Sequence, residues 1–234
     1  MQAIETVLFD FGGTLDADGV AWKERVHALY RAEGLDLSAE AFAPAFYAAD
    51  DALVGALAPA TGLEETVHAL AVGLEAELAR RGFGADEARG ERVAARFLSD
   101  MSSAFARNRP VLNALGERYR LGVVSNFYGN LEGACASSGL APLFGVMADS
   151  QRIGAEKPEP AIFNAALAAL NAAPGTAVMV GDSLRRDCEG ARRTGMRFIW
   201  IAPEDVQAAE RGCSSDACVL AAVTRLPDLI DVLT

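Results

Sequence analysis

The sequence predicts an α/β fold: a doubly wound parallel sheet, interrupted after its first strand by an all-helical segment. Continuous apolar runs such as Val7-Leu8-Phe9 and Val178-Met179-Val180 have the pattern of strands buried on both faces. From about residue 106 onward such runs alternate with helical stretches, the order that builds parallel sheets. Several runs also end on chemistry: Asp10 before Gly12-Gly13, Ser125-Asn126 after Val123-Val124, and Asp182-Ser183 after Gly181. Open parallel sheets bind ligands at the carboxyl ends of their strands.

The first strand delivers Asp10 to a glycine turn. Residues 20–107 then turn rich in Ala, Leu, Glu and Arg, with apolar residues at helical spacing. Four helices follow from that spacing. One near 20–33 carries Trp22, Val26, Leu29 and Tyr30 on a stripe and stops at Gly34. A second starts after the cap candidate Ser38, carries Phe42, Phe46 and Tyr47 to about Leu57, and takes Pro44 near its first turn. The third spans about 63–81 and the fourth about 85–107. Beyond them come an apolar helix at Val111–Leu115, a strand Arg120–Val124, a helix after Gly129 and a short strand Gly145–Ala148. A loop from Asp149 to Glu159 holds Lys157. Helix 159–171, strand Ala177–Val180, helix 184–194 stopped by Gly195, and strand Phe198–Ile201 complete the pattern, with Val219–Val223 a candidate for one more strand.

Composition excludes several classes of function. The 234 residues suffice for a sizeable core. Mean hydropathy is +0.17, yet no apolar run reaches the roughly 18 residues of a membrane helix, so no membrane is expected as a partner. Glu5 and Asp10 interrupt the N-terminal apolar stretch, which reads as no signal peptide and gives the expectation of a cytoplasmic protein. A net charge of −11 repels a polyanionic backbone, which argues against nucleic acid. Cys135, Cys188, Cys213 and Cys218 lack paired metal-type spacing and read as thiols, with Cys213 and Cys218 close enough in sequence for a weak metal or redox site.

Four motifs occur in order: Asp10-x-x-Gly13-Thr14, a strand ending in Ser125-Asn126, Lys157-Pro158, and Gly181-Asp182-Ser183 with Asp187 beyond it. Together they resemble the haloacid dehalogenase superfamily. The resemblance implies a Rossmann-like catalytic core formed by residues 1–16 and 107–234 and a helical cap formed by 17–106. Hinges would lie near 15–20 and 106–110, with the active site between core and cap. It implies a hydrolase of the phosphatase type, acting on a small phosphorylated metabolite with Mg²⁺ as cofactor. In that scheme Asp10 is the nucleophile and becomes an aspartyl-phosphate. Ser125 and Lys157 hold the transferring group, while Thr14 and Asn126 steady the loop and the substrate. Mg²⁺ would sit on Asp10, the backbone carbonyl of Gly12 and Asp182, with Asp187 orienting that set. Plain structural roles stand beside these: turn or helix caps for the aspartates, a surface charge for Lys157, which is one of only two lysines with Lys23.

One position departs from the pattern. Phosphatases of the superfamily carry a second aspartate two residues after the first, where this chain has Gly12. General acid–base help of that kind is worth about 10²–10⁴-fold. Its loss predicts weakened turnover, or a non-catalytic module that binds a phospho-ligand or a protein. Asp16, Asp18, Glu24 and His27 are candidates to replace it. His27 and His68 otherwise read as solvated or packed cap residues. A 2-haloacid dehalogenase also lacks that aspartate, but needs no metal. A phosphonate hydrolase lacks it too and would need Lys23 as an imine-forming amine.

Overall fold

In the computed structural model, which describes residues 3–210 and 218–233, six parallel strands form one sheet in the order β3-β2-β1-β4-β5-β6. The strands are β1 (Thr6–Phe9), β2 (Arg120–Ser125), β3 (Val146–Asp149), β4 (Ala177–Gly181), β5 (Arg197–Ile201) and β6 (Val219–Val223). The α/β fold class is as predicted, and the candidate last strand is β6. Alternation along each strand explains why both faces are covered. Val7, Phe9, Val123, Val178, Val180, Ile199 and Ile201 enter one apolar cluster, and Leu8, Val124, Met179, Phe198 and Trp200 enter the other.

Four helices follow β1: α1 (Trp22–Ala32), α2 (Ala39–Asp51), α3 (Leu63–Arg80) and α4 (Glu87–Gly116). Ser38 caps α2 by accepting a hydrogen bond from the Ala41 amide at 3.3 Å. The helix ends at Asp51, short of Leu57, and Pro44 lies in its interior. Asp86 caps α4 through the Arg89 amide at 3.0 Å. A buried bidentate pair between Arg89 and Glu75, at 2.9 and 2.7 Å, joins α4 to α3.

The break expected at 106–110 is absent, and so is a separate helix at 111–115. A single helix of 30 residues runs through Pro110. Proline removes one backbone donor and usually kinks or ends a helix. Here tertiary contacts anchor the helix on both sides of the proline. Asn108 is fully buried and donates to the Leu15 carbonyl at 3.0 Å, and Arg107 pairs with Asp18 at 2.7 Å. Phe105, Leu112 and Leu115 are buried in the same apolar cluster as Phe9 and Phe11.

The remaining helices are α5 (Leu131–Ser137), α6 (Ser150–Ile153), α7 (Pro160–Ala169), α8 (Glu189–Thr194), α9 (Glu204–Ala209) and α10 (Leu229–Leu233). α6 lies inside the segment read as a loop. The helix expected over 184–194 is a wide turn, Leu184–Cys188, that tightens into α8. No helix among the described residues is long and apolar enough to cross a membrane. Cys213 lies outside the described residues.

Candidate active site

The sheet order reverses between β1 and β4, which opens a crevice at their carboxyl ends. Register decides what meets there. Phe9 stands beside Val123 on one side and Val180 on the other, so the chains leave the sheet level with one another. Asp10, Ser125 and Asp182 follow within two residues. The Asp10 amide donates to the Val180 carbonyl at 2.9 Å, which pins the first loop to β4.

Three donors converge on a single oxygen of Asp10. Its Oδ1 accepts from the Phe11 amide at 2.7 Å and the Ser125 hydroxyl at 2.9 Å, and pairs with Lys157 Nζ at 2.7 Å. Oδ2 accepts no hydrogen bond from the described residues. Lys157 is 4% exposed and also bonds Asp187 Oδ1 at 2.7 Å. Burial by itself would lower its pKa, but Asp10 and Asp187 outweigh that and raise it, so the ammonium persists. Asn126 clamps the backbone of Lys157 on both sides, accepting from its amide at 2.7 Å and donating to its carbonyl at 3.3 Å.

Asp10, Asp182 and Asp187 each place a carboxylate oxygen within 4.8 Å of the others. Both oxygens of Asp187 are engaged, Oδ1 by Lys157 and Oδ2 by the Ser183 amide at 3.0 Å. The carboxylate of Asp182 receives no hydrogen bond from the described residues. Burial, and then the charges of Asp10 and Asp187, push its pKa well up. Burial likewise pushes Asp187 up to about 6, against the pull of Lys157. A partly buried carboxylate without a donor, beside an open carboxylate oxygen, has the chemistry of a hard-cation site. The residues therefore fit a divalent ion held by Asp10 and Asp182, with Asp187 behind them.

The turn after Asp10 is set by glycines. Gly13 has φ +87°, and a Cβ there would come within 2.5 Å of Asp182 Oδ2. Gly12 has φ −75° and ψ 123°, a backbone that any residue adopts. What fills the space beside it is Trp22. A Cβ on Gly12 would lie 3.1 Å from the indole Nε1. That indole is fixed: it donates to Asp16 Oδ2 at 2.8 Å and stacks edge-on to Phe97 at 5.3 Å.

Asp16 is fully buried and spent on structure. It accepts from the Gly13 amide at 2.6 Å, from Trp22 and from Arg25 at 2.7 Å. Neither it nor Asp18, which pairs with Arg107, lines the cavity above Asp10, whereas the candidate Glu24 does. His27 bonds the Leu37 carbonyl at 2.8 Å, and His68 lies 3.3 Å from Glu91. Both are half-buried residues of the four-helix segment, each held by the contact named. Thr14 does not line the cavity above Asp10. Its hydroxyl is buried without a hydrogen-bond partner among the described residues.

That cavity has a volume of about 210 Å³ and takes its far wall from α1 and α2. Trp22, Phe46, Tyr47, Phe127 and Tyr128 give it an aromatic surface. Its polar groups beyond Asp10, Ser125, Asn126 and Lys157 are Lys23, Glu24, Asp50 and Arg186. Sequence reasoning missed Asp50, Tyr128 and Arg186. Asp50 accepts from the Tyr128 hydroxyl at 2.5 Å, across the gap between α2 and the loop after β2. Arg186 is exposed, yet the wide turn puts it at the cavity wall, where its charge is felt by Asp10, Asp187 and Asp182. Lys23 bonds Glu24 at 3.0 Å, and that bond, partly offset by burial, raises its pKa.

A model of the family described as haloacid dehalogenase-like hydrolase matches residues 4–195. The phosphoserine phosphatase of Thermus thermophilus is 41% identical over 31% of this chain and 30% of its own length. Bovine haloacid dehalogenase-like hydrolase domain-containing protein 3 is 34% identical over 49% and 46%, respectively. The glyceraldehyde 3-phosphate phosphatase of Pyrococcus furiosus is 39% identical over 34% and 32%. The chain thus spans less than half the length of these relatives. Two solved structures share the fold over nearly all of both chains: a HAD phosphatase from Thermococcus onnurineus (TM-score 0.59, 22% identity, 98% of each chain) and an L-2-haloacid dehalogenase (TM-score 0.62, 22% identity, 99% of each chain).

Proposed function

The chain belongs to the haloacid dehalogenase-like hydrolase family, and from that premise we propose a Mg²⁺-dependent phosphatase that cleaves small phosphate monoesters through an aspartyl-phosphate on Asp10. The observation that carries this is the asymmetry of Asp10: three donors hold Oδ1, and Oδ2 is left as the free nucleophile. Oδ2 attacks phosphorus and the alcohol leaves with the ester oxygen; water then attacks the acyl phosphate, returning Asp10 and releasing inorganic phosphate. Lys157 and Ser125, already on the carboxylate, lie where phosphoryl oxygens would approach it, so the same groups can stabilise transferred charge. When bound on Asp10, Asp182 and the Gly12 carbonyl, Mg²⁺ supplies positive charge that offsets repulsion between Asp10 and the phosphoryl group.

Asn126 serves this scheme by fixing Lys157, and we assign it positioning in place of substrate contact. The cavity of about 210 Å³ is smaller than the roughly 300–1,000 Å³ of drug-sized sites, which suits a short leaving group. Phosphoserine and glyceraldehyde 3-phosphate, named for two of the relatives, are of that size. We further propose residues 17–106 as the cap that closes over the substrate. An imine mechanism on Lys23 is disfavoured, because it needs a neutral amine and Glu24 keeps this one charged.

The test is hydrolysis of p-nitrophenyl phosphate with and without Mg²⁺. Phosphatase chemistry predicts product release that EDTA abolishes, that Asp10→Asn abolishes, and that Asp182→Asn lowers by at least about tenfold. Release that persists in Asp10→Asn, or none in wild type with Mg²⁺ present, contradicts it and favours a phospho-ligand binding module.

A further inference from the structure

The turn that carries Asp187 also carries a second chemistry. Cys188 Sγ lies 3.5 Å from Cys218 Sγ, 30 positions along the chain, and both stand as thiols. We propose that Cys188 and Cys218 form a reversible disulfide, an oxidative modification site built against the carboxylate cluster. A disulfide needs sulfurs at about 2.05 Å, so closing this pair takes an approach of roughly 1.5 Å, within the reach of two rotating side chains. Cys218 is half-buried, which lets a small oxidant reach it, while Cys188 is 6% exposed and waits behind it.

The chemistry balances with hydrogen peroxide as the oxidant. The thiolate of Cys218 attacks one peroxide oxygen, the O–O bond breaks, and hydroxide leaves to give a sulfenic acid. Cys188 then attacks that sulfur, the S–O bond breaks, and a second hydroxide leaves. Two thiols and one peroxide become one disulfide and two waters. A dithiol reductant reverses it by exchange.

The site matters because of what Cys188 is joined to. The Asp187 and Cys188 amides both donate to the Ser183 carbonyl, at 2.8 and 3.2 Å, so the two residues share one closed turn. Asp187 in turn holds Lys157 at 2.7 Å. Drawing Cys188 toward Cys218 therefore pulls on the carboxylate that orients the lysine. Cys135 is a built-in control, because it is fully buried on the other side of the sheet and burial pushes its thiol up to about 12.

The experiment treats the full chain with hydrogen peroxide, alkylates remaining thiols, and maps disulfides by peptide mass. The expected product links Cys188 to Cys218, leaves Cys135 alkylated, disappears with dithiothreitol and does not form in Cys218→Ser. Turnover of p-nitrophenyl phosphate should fall about fivefold or more on oxidation of wild type, recover with dithiothreitol, and stay unchanged in oxidised Cys218→Ser. No bond, or one made through Cys213, overturns the site; the bond with full turnover overturns its link to Asp187. A reduced protein without turnover speaks against the phosphatase reading alone, and the link is then read as a loss of Mg²⁺ affinity on oxidation.

Discussion

Gly12 and Trp22 form one device. On the proposed reading the glycine leaves the site without a proton-handling carboxylate, and the indole stands 3.1 Å from where a Cβ would begin such a side chain. Because φ at Gly12 is −75°, backbone geometry does not forbid aspartate there; the cost falls on the neighbour, which would have to give by a few tenths of an ångström. The indole has little room to retreat, held by Asp16 at 2.8 Å and by the Phe97 ring. Gly12→Asp should therefore cost about 1–3 kcal/mol by overpacking and gain little turnover on alkyl phosphates. Combined with Trp22→Leu, the same aspartate should raise turnover by at least about tenfold over Trp22→Leu alone. A double-mutant cycle in kcat checks this, and additivity of the two changes would contradict it. The loss of the acid–base aspartate is legible in the sequence, because the motif shows which position it should occupy. Its replacement by an indole ten residues away is not, because the facing of a helix toward a loop is settled only by tertiary packing.

Among the elements, the strands were the easiest to read and the long helix the hardest. Apolar runs in β1, β2 and β4 fix both their type and their polar ends, so Asp10, Ser125 and Asp182 could be placed together in advance. Helix α4 runs on where Pro110 suggests a stop, since Asn108 and Arg107 tie its middle to the loop after β1. Asn108→Ala should leave the buried Leu15 carbonyl without a donor and cost about 1–3 kcal/mol. Urea unfolding measures that, and a change below a few tenths of a kcal/mol would show the bond to be dispensable. The turn after β4 makes a pH-dependent prediction. Asp187 titrates at about 6 in the fold against 3.8 for the free group, so the folded state holds this proton more tightly. Its contribution to stability is full below 3.8 and is lost as pH rises through about 6. Bound Mg²⁺ offsets that loss, but only where the carboxylates are ionised. The rise in Tm caused by Mg²⁺ should thus be larger at about pH 7.5 than at about pH 5, and an equal rise at both would place the ion elsewhere.

At the scale of the molecule, both lysines of an acidic chain line one crevice, Lys157 from the sheet side and Lys23 from α1. With a net charge of −11, attraction of the phosphate monoester proposed as substrate cannot come from the overall field. It must come from local charge: Lys157 below, and Lys23 and Arg186 on the walls. On the proposed reading the cavity keeps Asp10, Ser125 and Lys157 for the first half of the reaction, while Gly12 offers no carboxylate for the second and the wall carboxylates Glu24 and Asp50 are engaged by Lys23 and Tyr128. An activated aryl phosphate separates the halves, because its leaving group needs little acid, whereas hydrolysis of the acyl phosphate needs a base for water. The deciding measurement is rapid-quench kinetics on p-nitrophenyl phosphate, with mass analysis of the quenched protein. The account predicts a burst of at most about one equivalent of p-nitrophenol and a phosphoryl adduct on Asp10, then slow release, the mark of a stalled covalent intermediate. Linear release from the first turnover, with no adduct on Asp10, would contradict it.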